Sequence, residues 1–159
     1  MYPLILIAIL IVARLIPHPP NFTPVIAVAI MSGLLFRNLY LSYGVLIAAM
    51  FLSDMLIGFY SNMFFVYLPL ILISFYFFKI TAKVNGRNLF IFGFLGSLIF
   101  FVLSNFGVWL TSDMYTKDIN GLINCYILAI PFFKNTLAST IIFSYATFFA
   151  NYYIQRKFI

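Results

Sequence analysis

Ile119-Asn-Gly-Leu-Ile-Asn-Cys-Tyr-Ile-Leu-Ala-Ile-Pro-Phe-Phe133 is the stretch on which the fold turns. Six other runs are more evenly apolar: Tyr2 to Ile16, Phe22 to Phe36, Leu41 to Phe59, Met63 to Ile80, Asn88 to Phe106 and Asn135 to Tyr153. The run at 119–133 is broken by Asn120-Gly121, Asn124 and Pro131. Charge decides whether it crosses a membrane. Arg37, the Lys79/Lys83/Arg87 connector and the Arg156/Lys157 tail all belong on the cytoplasmic side. Six spans with both termini inside satisfy all three, whereas a seventh would send the tail outside. The segment therefore reads as a short re-entrant or interfacial helix on the outer side. The expected fold is an all-α integral membrane protein, a single transmembrane domain over 1–159 with six transmembrane helices plus that short helix. The outer connections carry Asp113, Asp118 and Lys117; Lys134 is the one cation that disagrees with this topology, and a paired or snorkelling Lys can live there.

Composition points the same way. Of the 159 residues 65% are hydrophobic and 8% charged, with a mean hydropathy of +1.11. Soluble domains carry roughly 25% charged residues. The net charge of +6 is scattered between apolar runs, which is membrane topology and not a nucleic-acid patch. One cysteine, Cys125, and one histidine, His18, exclude an intrachain disulfide and argue against an all-protein zinc site. No cofactor is called for. The N-terminus lacks the basic start and small-residue cleavage site of a signal peptide.

Arg14-Leu-Ile-Pro-His-Pro-Pro-Asn-Phe-Thr-Pro24 separates the first two runs and holds four of the seven prolines. It cannot continue a helix. One reading is a shaped loop capping a site, the other a rigid hairpin between neighbouring helices. Beyond it, Ala29 and Gly33 form a small-xxx-small face suited to close helix contact.

The six-span topology gathers polar side chains in one outward layer: Arg14, His18, Asn21, Ser53, Asp54, Tyr60, Asn62, Tyr67, Asn105, Trp109, Asn124, Tyr126, Lys134 and Asn135. Trp109 and the tyrosines also fit an interfacial belt. Asn21, Asn62 and Asn105 also fit helix caps, and His18 a surface loop. Asp54 is different, because a carboxylate within an apolar span is expensive and usually paired. Arg14 is its nearest cation by depth. A structural Arg14–Asp54 pair and a ligand contact at Asp54 are both open, and they can coexist.

Six short helices, a first outer loop leading into a Pro- and Ala-rich second helix, and a third helix ending near Asp resemble the substrate-binding (S) components of energy-coupling-factor vitamin transporters. More narrowly, the Arg14–Pro24 block, Ser53-Asp-Met-Leu-Ile-Gly-Phe59, Ser104-Asn-Phe-Gly-Val-Trp109 and Gly121-Leu-Ile-Asn-Cys-Tyr126 with Ile130-Pro-Phe-Phe-Lys-Asn135 resemble a family of small, uncharacterised bacterial membrane proteins over nearly the whole chain. The S-component resemblance implies an outer-side pocket under the first loop, involving His18, Asn21, Asn105, Trp109, Tyr126 and Asn135. It also implies a transmembrane coupling subunit and an ATPase as partners. The chain departs from the S-component pattern of alanines four apart on the first helix: Ala8 and Ala13 are five apart, and the cleaner small-residue face is Ala29/Gly33.

Three functions follow. The first is a membrane-embedded uptake component for a small vitamin-like solute. Its Pro-rich loop would lie over a pocket where Trp109 and Tyr126 stack the solute, the asparagines orient it and Asp54 contributes a contact. The second is an assembly protein whose polar layer only holds helices together. The third is an intramembrane enzyme, disfavoured because no hydrolase or metalloprotease motif is present and the chain has three carboxylates. The expected protein is not an enzyme, lies in the bacterial cytoplasmic membrane with both termini cytoplasmic, and meets lipid but no nucleic acid.

Overall fold

The computed structural model describes residues 2–36, 38–80 and 84–157, with side chains over 7–36, 38–80 and 84–153. Arg37 and Lys83, and the side chains of Arg156 and Lys157, on which the topology partly rests, lie outside the described residues. Six helices follow in order: α1 (Tyr2–Leu15), α2 (Val25–Leu35), α3 (Leu39–Ile57), α4 (Phe64–Lys79), α5 (Gly86–Thr111) and α6 (Ile119–Lys157). Among the described residues there is no strand. Polar side chains start three of the helices. Asn38 Oδ1 accepts from Leu41 N at 3.2 Å, Asn85 Oδ1 from Asn88 N at 2.9 Å, and Asp118 Oδ1 from Gly121 N at 2.7 Å. Each meets an amide that has no partner within the helix.

The centre is α2. Its residues Val25 to Gly33 are all buried, as expected of a helix apolar on every side, and it touches all five other helices. The Ala29/Gly33 face is taken up inside the chain by α4. A Cβ at Gly33 would stand 2.4 Å from the Ser74 carbonyl oxygen. Ser42 and Ser74 hydroxyls meet at 3.0 Å and Ser32 lies 3.5 Å from Ser74, tying α2, α3 and α4 together where no water reaches.

The short outer helix expected at 119–133 is instead the first part of α6, which runs unbroken through Pro131. It pairs antiparallel with α5. The Tyr126 hydroxyl donates to Val102 O, a Cβ at Gly93 would touch Ile141, and the Tyr145 hydroxyl donates to Gly86 O. The part of α6 alongside α5 is thus 119–145, and 146–157 continue past the start of α5 by roughly 18 Å at 1.5 Å per residue. Asparagines and a lone proline in 119–133 did not break this helix, because α5 packs alongside that whole stretch.

Among the described residues three helices, α3, α5 and α6, are long and apolar enough to cross a membrane, while α2 and α4 are apolar but shorter. The exposed surface carries Phe51, Leu56, Phe94, Val102, Ile123, Ile127 and Leu128 among many large apolar side chains. Water would not tolerate so much exposed apolar area, and lipid would.

Candidate functional site

The proline segment leaves α1 with Ile16 N still bonded to Val12 O, then turns back through Phe22 N to Pro19 O at 3.0 Å. Asn21 takes the left-handed backbone region at φ 61°, which asparagine tolerates better than most residues. Asn135 Nδ2 donates to Pro20 O at 3.0 Å, pinning the loop to α6. That anchor lies sixteen residues from Ile119, roughly 24 Å along the helix. The loop therefore meets the bundle well below the α5–α6 turn. The prolines there remove amide protons that would otherwise need partners.

A cavity of about 340 Å³ lies against this loop. Its polar wall is Arg14, His18, Asn21, Thr23, Tyr60 and Thr136. Its apolar wall includes Ile26, Met50, Val66 and Phe100.

Behind the polar wall, Asp54 is fully buried and Arg14 is 12% exposed. Arg14 Nη2 donates to Asp54 Oδ1 at 2.6 Å. Nη1 donates to the Met50 carbonyl at 3.3 Å and to the Ser53 hydroxyl. The Tyr67 hydroxyl donates to Asp54 Oδ2 at 2.7 Å. One carboxylate thus joins α1, α3 and α4. Burial, and then the Asp54 charge, push the Tyr60 phenol up to about 12, with Arg14 pulling the other way. Tyr60 therefore keeps its proton and stays a donor.

The residues expected to surround the solute are divided by the structure. Arg14, His18 and Asn21 share the cavity wall, with Asp54 behind them. Asn105 donates to Phe101 O at 2.7 Å in its own helix. It shares with Asn21 a second space of only about 20 Å³, room for about one water. Trp109 Nε1 donates to Thr116 O at 2.9 Å, and Lys117 caps the end of α5 by donating to the Trp109 and Ser112 carbonyls. Tyr126 stacks edge-on against Phe101. None of Asn105, Trp109, Tyr126 and Asn135 lines the larger cavity. Each of the four spends its side-chain donor on a backbone carbonyl of α5, of the α5–α6 turn or of the first loop. Thr23, Tyr60 and Thr136 were not among the expected contacts. Tyr60 stood in the outward layer, but Thr136 gave no signal, since a threonine within an apolar run is unremarkable.

The described residues form an all-helical protein with helices apolar enough to cross a membrane and a polar-walled cavity beside an irregular, proline-rich loop. The chain belongs to a family of unknown function (DUF6580), whose family model matches residues 1–159. No curated protein and no solved structure matches it.

Proposed function

We propose that this protein binds a small, vitamin-like solute from the outer side of the bacterial cytoplasmic membrane, as the substrate-binding component of an uptake system. The observation that carries the proposal is the cavity of about 340 Å³ walled by Arg14, His18, Asn21 and Tyr60. Its size sits at the lower end of small-molecule sites, and its mix of a few placed polar groups with apolar surface is typical of them. In the proposed topology all six helices belong to the membrane domain and both termini are cytoplasmic. The short α1 and α2 are joined by a loop that dips to the depth of Asn135. The likeness to S components rests on helix order and the outward polar layer. A coupling subunit, with its ATPase, would meet α1, where Ala8, Ile9 and Val12 are exposed, since Ala29/Gly33 is enclosed. The protein acts by binding and carries out no reaction.

A second reading has its own support. Asn105, Trp109, Tyr126 and Asn135 all commit donors within the chain, which suits an assembly protein with a purely structural polar layer. Mass spectrometry of small molecules released from gently purified protein separates the two. A single species at near-stoichiometric amount is expected, and an empty protein would support the structural reading.

A further inference from the structure

We infer that the cavity selects an uncharged solute bearing hydrogen-bond acceptors, such as a carboxamide, a lactam or a ring-nitrogen compound, over the matching carboxylate. This rests on the solute-binding reading above and names the class of solute.

The charge at the wall is already matched. Arg14 lines the cavity, and its counter-charge, Asp54, sits behind it at 2.6 Å with no exposure. An anion entering the cavity would share a cation that a nearer carboxylate already holds, and its lost hydration would be poorly returned. A cation would meet the guanidinium with no carboxylate in the wall. An uncharged molecule avoids both costs.

The wall is nevertheless rich in donors. Nη1 of Arg14 gives its two protons to Ser53 Oγ and to Met50, whose carbonyl oxygen and sulfur both lie within reach, and Nη2 gives one to Asp54. A guanidinium has five N–H groups. One Nη2 proton and the Nε proton are left for the cavity side and for the Tyr60 oxygen beside it. The two-pronged face that would clasp a carboxylate is thus already divided among three partners. Tyr60 adds a hydroxyl proton, Asn21 an amide and Thr23 a hydroxyl. Thr136 is the exception, because its hydroxyl donates back to Phe132 O at 2.9 Å. A carbonyl or ring nitrogen offers what these donors need. Ile26, Met50, Val66 and Phe100 would face the hydrocarbon body.

Benzamide and benzoate make the test, being nearly equal in shape and different in charge. Binding to the purified full-length protein is read from the concentration dependence of its thermal unfolding midpoint. Benzamide is expected to bind at least about fivefold more tightly than benzoate, the ratio given by one net hydrogen bond. Tyr60→Phe should reduce that preference while the ligand-free midpoint stays near wild type. If Tyr60→Phe does not fold, Thr23→Val serves the same purpose. Benzoate binding as tightly as benzamide, or no binding of benzamide, overturns the inference. The molecule released in mass spectrometry separates this failure from that of the broader reading. A retained carboxylic acid rejects the class and keeps the binding site, whereas an empty protein removes both.

Discussion

Arg14 and Asp54, forty positions apart, meet at 2.6 Å with the carboxylate wholly enclosed and the guanidinium facing a cavity. Breaking a buried pair by removing one partner costs about 3–5 kcal/mol in soluble proteins. Asp54→Ala should therefore lower the yield of folded protein and its unfolding midpoint. Asp54→Ala combined with Arg14→Leu should recover part of the loss, because no unpaired charge remains. A loss in the double variant equal to the sum of the losses in Asp54→Ala and Arg14→Leu would show that the residues are not coupled.

Gly33→Ala should destabilise by about 1–3 kcal/mol, the range for overpacking a tight interior. The added methyl would stand 2.4 Å from a backbone oxygen of α4, and backbone cannot swing aside as a side chain can. Thermal unfolding in detergent reads this. Gly44→Ala is the control, since nothing lies within 4 Å of its Cβ position, and it should be neutral or better.

Asn135→Ala removes the tether between α6 and the Pro20 carbonyl. The net loss should be about 0.5–1.5 kcal/mol, as for a single hydrogen bond, and it should fall on the loop. Faster thiol labelling of His18→Cys in the Cys125→Ser background, with an unchanged unfolding midpoint, is the expected result. Unchanged labelling would mean that the loop is held by other contacts.

The start of α6 should respond to acid. The amide of Gly121, and then the Thr116 hydroxyl, hold the Asp118 carboxyl below the usual carboxylate range. Because the folded value is depressed, the cap's contribution is fully present above the unfolded value near 3.9. It is lost as pH falls through the folded value. Exchange-corrected amide protection at Gly121 should drop there, and Asp118→Asn should flatten the response.

The sequence showed the helices well and the site only in part. Helix boundaries at Tyr2, Phe64 and Lys79 fell within a residue or two of the apolar runs, because composition changes sharply there. The 119–133 run misled. Its Asn and Pro residues are breakers in isolation, but α5 packs against it throughout, and tertiary contact outweighs local propensity. The Arg14–Asp54 contact could be read from depth and cost alone. The position of the cavity could not, because it depends on which donors of Asn105, Trp109 and Tyr126 are already used within α5, α6 and their turn. The Ala29/Gly33 pattern marked a close helix contact without telling whether the partner lay inside or outside the chain.

The central claim is that the cavity beside Pro17–Asn21 holds a small solute, and the most direct measurement compares what wild type and Thr23→Trp release. Thr23 lines the cavity from the loop, so an indole there should fill it with little effect on the helices. Wild type is predicted to release one small molecule at near-stoichiometric amount, and Thr23→Trp, folded with a similar unfolding midpoint, less than about a tenth as much, the ratio for a loss of ~1.4 kcal/mol. Equal release from both proteins, or none from wild type, would contradict the account.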